Sequence, residues 1–361
     1  MMYLIEAFFD TAYLGLILAL GLRLLLEERK EAKRFGWMAI ILGLGDAFHL
    51  LPRILSNLTV NGFEQYLSLL SWGEFVTGIT MTIFYILFYH YYRSLSGDFD
   101  KRKDGLIYTL AVIRLILVLL PQNQWGTSGN YCFGILRNIP FALMGLFLIL
   151  WTWKQREKEG LKNTSLLIAA SFLFYLPVVV GARFVPALGA LMMPKTVAYV
   201  LLVLSGFRYF IKDFTPDNIL KDSAVCLFMG LAGGVFYREF TKYFAWKPFT
   251  ALSVVHVHLI ALGFLTLLIL YAVMRTQGER MAEIKTPLAV YLTGLTWTVV
   301  SFMVRGIYSI TSPETQLFPD GALSGMAGIG HILLGIGIVW MILKLIGIRS
   351  ESRGVEGEKA S

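Results

Sequence analysis

Eleven apolar runs, each long enough to cross a bilayer and separated by short charged loops, constrain this chain more than any other feature. A span needs about 20 mainly apolar residues. The runs fall at roughly 4–26, 36–55, 66–92, 105–121, 132–153, 164–184, 193–211, 222–240, 249–274, 287–308 and 321–345. Backbone groups in hydrocarbon must be satisfied within the segment, so each run is expected to be a helix. A membrane β-barrel would instead alternate polar and apolar residues over about ten-residue segments. The expected fold is all-α: a polytopic helical membrane protein, multi-pass in the cell membrane, with the lipid bilayer as its first partner. The 56% hydrophobic content, above the usual share of roughly 45–50%, agrees with this.

The net charge of +8 does not point to nucleic acid. The basic residues lie in loops, where the positive-inside rule puts them, and not on one folded face. Alternate loops, with the tail, carry 22 Lys and Arg against 6 in the opposite set. This asymmetry predicts the N-terminus outside and the C-terminus in the cytoplasm. Arg238, Lys242 and Lys247 in one outer loop break the pattern. The first ten residues lack a basic region and read as the start of the first span. Cys132 and Cys226 fall near opposite faces, so no disulfide is expected, and the absence of CxxC and CxxCH argues against covalent c-type haem or a zinc ribbon.

The polar stretch 212–221, with Pro216, is the expected joint. It divides a seven-span domain, 1–212, from a four-span module, 213–348; the Glu-, Ser- and Gly-rich tail 349–361 is expected to be disordered. The halves share no evident repeat, which weighs against an inverted-repeat transporter.

Ionisable residues inside spans carry the functional information. In the first seven, Asp46, His49 and Arg53 share a helical face by their i, i+3, i+7 spacing. Glu74, Arg114 and Asn138 lie at similar depth on neighbouring spans. These six form a candidate outward cavity for a small polar or anionic ligand. The alternative is a set of interhelical pairs that serves packing alone.

The last four spans hold Ser253-Val-Val-His-Val-His258 and Gly328-Ile-Gly-His331. Counted from the outer ends of their helices at 1.5 Å per residue, His256, His258 and His331 lie about 10, 14 and 15 Å deep. Buried imidazoles in hydrocarbon need a partner, a ligand or a cavity. Residues i and i+2 point about 200° apart, so His256 and His258 cannot both ligate one small ion without distorting the helix. The readings are haem b on facing imidazoles, with Arg305 pairing a propionate; a divalent metal held by His256, His258 and His331 with Glu239 as the available carboxylate; or a hydrogen-bonded packing network with no cofactor. The first two imply a redox, electron-transfer or gas-sensing role. No catalytic residue stands out.

Four motifs in order, Tyr237-Arg-Glu-Phe-Thr-Lys242, Leu252-Ser-Val-Val-His-Val-His258, Arg305-Gly306 and Ser324-Gly-Met-Ala-Gly-Ile-Gly-His331, resemble a small bacterial membrane family, domain-of-unknown-function family 2871, over about 222–347. The resemblance implies an integral membrane fold and no particular activity. Residues 1–212 resemble no family. The His256-Val-His258 spacing is also similar to that of subunit I of haem–copper oxidases, where two imidazoles serve two haems. The His-Pro-Glu and His-His elements of the copper site are missing, so oxygen reduction is not implied.

Overall fold

A computed structural model of the chain describes residues 1–276, 280–313 and 317–360, with residues 320 and 348–360 described by backbone alone. It is 84% helical, with no strand among the described residues. The long helices are α1 (Met2–Leu25), α2 (Lys30–Leu58), α3 (Leu67–Ser96), α4 (Lys101–Leu119), α5 (Tyr131–Lys154), α6 (Thr164–Gly181) and α7 (Met192–Phe210). They continue with α8 (Pro216–Tyr243), α9 (Leu252–Met274), α10 (Met281–Thr311) and α11 (Asp320–Ala360). Each apolar run expected to span is therefore a helix.

Ten of these helices are long and apolar enough to cross a membrane. The exception is α4. Its first turn holds Lys101, Arg102, Lys103 and Asp104, and Arg114 lies within it, so too little uninterrupted hydrocarbon remains. The helix begins earlier than the apolar pattern suggested because Asp100 caps it, its carboxylate accepting from the Arg102 N–H at 2.9 Å. Pro216 was expected in a loop but opens α8, where its fixed φ suits the first helical position. The backbone of α11 is helical to Ala360, through most of the tail expected to be disordered.

The chain divides into two compact units. One comprises residues 13–57 and 61–212; the other comprises 213–361 together with 1–12 and 58–60. In the first unit α2 and α3 cross at close range. A Cβ at Gly73 would meet the backbone of Phe48 and His49, so only glycine allows this approach. The interior is strongly aromatic. Phe84, Tyr85, Phe88 and Tyr89 of α3 are fully buried, and the Tyr85 ring packs edge-on against Phe141 and Phe172.

The α3–α4 turn is closed electrostatically. Asp98 accepts from the Lys103 ammonium, and from the Tyr92 hydroxyl at 2.7 Å. Partial burial pushes its pKa up, but the bonds from Lys103, Tyr92 and the Asp100 N–H outweigh this and hold it below the ordinary carboxylate value. A depressed folded-state pKa gives stability that is present above the unfolded value and lost as pH falls through the folded one. The contribution of this turn is therefore expected to be flat from neutral pH to about pH 5, to start falling near the unfolded carboxylate value of about 3.9, and to be gone only below the depressed folded-state value. Hydrogen exchange of the 97–104 amides against pH checks this. Asp98→Asn should remove the dependence, and an unchanged profile would refute the assignment.

In the second unit α10 and α11 make the tightest helix pair. A Cβ at Gly330 would come 2.5 Å from Thr298 Oγ1 and 2.8 Å from its backbone nitrogen. A Cβ at Gly294 would meet the Leu333–Leu334 backbone. Small residues at such crossings replace the hydrophobic driving force that lipid removes. A core of Ile219, Leu267, Leu270, Met274, Ile284, Leu288, Tyr291 and Leu295 fills the space among α8, α9 and α10.

Candidate functional site

Helix α9 is not uniform. Leu252–His258 is α-helical, Leu259–Leu265 is π-helical, and Thr266–Met274 returns to α. The wider turn displaces carbonyls from their regular partners, and two side chains take them up. Tyr291 donates to the Leu262 carbonyl at 2.6 Å and Thr266 to that of Ala261 at 3.1 Å. The π segment starts at the residue after His258, and such segments recur at functional sites.

The two histidines of α9 face apart, as their spacing required. His256 turns to α8. Its ring lies parallel to Tyr237 with centroids 6.3 Å apart, and its Cβ and ring are 3.7 Å from where a Gly234 Cβ would stand. Its Nδ1 is buried without a hydrogen-bond partner. His258 turns to α10 and α11, where it meets Phe302 at 4.9 Å and His331 at 6.0 Å between ring centroids. Phe302 and His331 are 5.5 Å apart, which completes a triangle. The sequence thus brings two of the three histidines together and sends the third elsewhere.

The hydrogen bonds of this pair fix its chemistry. His258 Nδ1 lies 2.9 Å from the Val254 carbonyl, and His331 Nδ1 lies 2.8 Å from that of Ala327. A carbonyl only accepts, so each Nδ1 carries the proton. In each neutral ring Nε2 is then the lone-pair nitrogen. Each imidazole is held by its own preceding turn, in the tautomer that a metal ligand requires. His331 is exposed on the bundle surface, about 16 Å along α11 from Asp320, amid the exposed Ile329, Ile332 and Ile336.

A single ion about 2.0–2.1 Å from both Nε2 atoms puts the ring centroids about 5–6.5 Å apart, and the observed 6.0 Å falls within that range. Haem on the same two axial nitrogens does not fit. Triangle sides of 4.9, 5.5 and 6.0 Å put the Phe302 centroid about 4 Å from the midpoint of the imidazoles, inside the area a porphyrin would occupy. Glu239 does not join the histidines: it is half-exposed and pairs with Arg238 on its own helix at 3.4 Å. Among the described residues no three His, Cys, Asp or Glu side chains converge as a metal cluster. Arg305 is exposed, three residues beyond Phe302 and on the same face of α10.

The candidate ligand residues of the seven-helix unit are placed separately. Asp46 accepts from Tyr13 at 2.5 Å, and His49 Nδ1 is buried without a partner. Arg53 and Glu74 are electrostatic neighbours of His49. Glu74 pairs with Arg137 at 3.2 Å and is half-exposed. Asn138 accepts from Tyr175 at 2.8 Å. Arg114 stacks on Phe141, with its guanidinium carbon 3.4 Å from the ring centroid. Two clefts of about 350 and 590 Å³ occur in this unit, and none of these residues lines either.

Sequence reading missed Phe302, Lys195 and the tyrosines around Lys195. Phe302 gives no signal in a helix full of apolar residues. Lys195 lies in the first turn of α7, at the edge of an expected span, where a lysine reads as boundary charge. Its position after Met192-Met-Pro194, in an apolar run, was the available clue.

Fold and composition together define a multi-pass helical membrane protein. Residues 217–347 match the model of a family described as a protein of unknown function, DUF2871. No curated protein and no solved structure matches the chain. The similarity of His256-Val-His258 to oxidase subunit I therefore rests on spacing alone.

Proposed function

We propose that this membrane protein binds a late first-row transition-metal ion through His258 and His331, with a redox or sensing role. The observation that carries the reading is the matched pair of imidazoles. Both are tied at Nδ1 to their own helices, both leave Nε2 free, and their centroids are 6.0 Å apart. Imidazole suits copper, zinc, iron and nickel, and copper(II) stands highest in the affinity order. Two protein ligands leave the remaining positions to water or an exogenous group. Exposure of His331 supports entry from that side, and an imidazole facing hydrocarbon needs such compensation. When bound, the ion would supply Lewis acidity or electron exchange. The chain orients the two nitrogens and, through Phe302, keeps a porphyrin out.

The test is titration of the purified full-length protein in detergent with copper(II) and zinc(II), read by calorimetry. One ion per chain is expected. A preparation that binds neither would favour packing alone. A Soret band that depends on both His258 and His331 would replace the ion by haem.

A further inference from the structure

The seven-helix unit holds a buried cation that its own carboxylates do not neutralise. Arg114 of α4 is 4% exposed, and its Nε and Nη1 are buried without a hydrogen-bond partner. Phe141 covers one face of the guanidinium. The Phe141 ring in turn packs against Tyr85 at 4.9 Å and Tyr175 at 5.9 Å between centroids. The two nearby carboxylates are committed elsewhere. Glu74 pairs with Arg137 at 3.2 Å, and Asp46 accepts from Tyr13 at 2.5 Å.

Lys195 adds a second positive charge to the same interior. Its ammonium lies 4.9 Å from the Tyr175 ring centroid and 5.5 Å from that of Tyr199. Tyr175 packs at 5.9 Å on Phe141, the ring on which Arg114 stacks, so the two cations share one aromatic cluster. The Tyr85 and Tyr199 hydroxyls, 3.2 Å apart, offer a further donor. Burying an arginine with unfilled donors costs free energy that packing alone does not return. A guanidinium with open N–H groups that shares an aromatic cluster with an ammonium suits an oxyanion.

We infer that Arg114 and Lys195 form the binding site of a small organic carboxylate with an apolar or aromatic body. The carboxylate supplies the missing negative charge, and the rings that the two cations already face, Phe141 for Arg114 and Tyr175 and Tyr199 for Lys195, form its apolar surroundings. The site lies wholly within the seven-helix unit and is independent of the imidazole pair.

The experiment uses the purified full-length protein in detergent micelles, with 4-fluorobenzoate observed by fluorine NMR and unlabelled benzoate as competitor. Saturable binding is expected, weakened at least tenfold in Arg114→Gln and in Lys195→Gln. Lys195→Gln leaves the Arg114–Phe141 stack in place and keeps the test open if Arg114→Gln does not fold. Inorganic phosphate is the second probe. Phosphate binding in preference to benzoate would overturn the carboxylate assignment. Absence of fluorobenzoate binding, or binding unchanged in both variants, would overturn the site.

Discussion

Gly330→Val is expected to lower the stability of the four-helix unit by about 3 kcal/mol or more and to remove its ion binding together. The cost exceeds the roughly 1–3 kcal/mol typical of overpacking because the neighbour is main chain. A β-carbon at Gly330 already meets Thr298 Oγ1 at 2.5 Å, its nitrogen at 2.8 Å and its Cα at 3.0 Å, and valine adds two methyl groups beyond that. Backbone in the middle of α10 cannot turn aside as a side-chain end can. The helices must separate, and His331 is the next residue along α11. The imidazole spacing is therefore lost with the packing. Gly335→Ala is the control. Nothing lies within 4 Å of its β-carbon, so the better helix propensity of alanine should leave stability unchanged or slightly higher. Thermal unfolding in a fixed detergent, alongside ion titration, reads both effects. A Gly330→Val protein within about 1 kcal/mol of the parent would mean that the α10–α11 contact is looser than described.

The contrast between these glycines shows what the sequence carried. Each long apolar helix was legible, because apolar length and charged punctuation are one-dimensional properties, whereas the helical backbone of the polar tail was not. Helix ends were less so: Asp100 and Pro216 act through capping and φ, which hydropathy does not register. The opposed directions of His256 and His258 followed from helix geometry alone and hold in the structure. The meeting of His258 with His331 needed the rotation of two helices about their axes. Gly294, Gly330 and Gly337 set the approach of α10 and α11, and an isolated sequence does not say which glycines are at a crossing. The π-helical stretch was invisible for a related reason. Its freed carbonyl at Leu262 is satisfied by Tyr291, a residue 29 positions away. Lys195 gave little signal because a lysine near an expected span boundary reads as loop charge until the Tyr175 and Tyr199 rings are seen next to it. Asp46, His49 and Arg114 were recognised as out of place in hydrocarbon, but their actual partners, Tyr13 and Phe141, came only from three-dimensional packing.

Non-additivity separates an imidazole pair from two independent histidines. His258→Ala and His331→Ala are each expected to weaken copper(II) binding by about 100-fold or more, which corresponds to about 2.7 kcal/mol. With one imidazole gone, the other retains at most a single-ligand site that exchanges with solvent. The double variant should then be little worse than either single one, since a two-residue site fails when either member leaves. Independent sites would show the opposite: the losses would add, or each single variant would keep half the stoichiometry. His256→Ala tests the geometry from the other side. Its ring faces Tyr237 and Gly234 on α8, so copper affinity should stay within about threefold even though the residue is two positions from His258. A large loss in His256→Ala with none in His331→Ala would place the ion on the α8 face and refute the His258–His331 pairing.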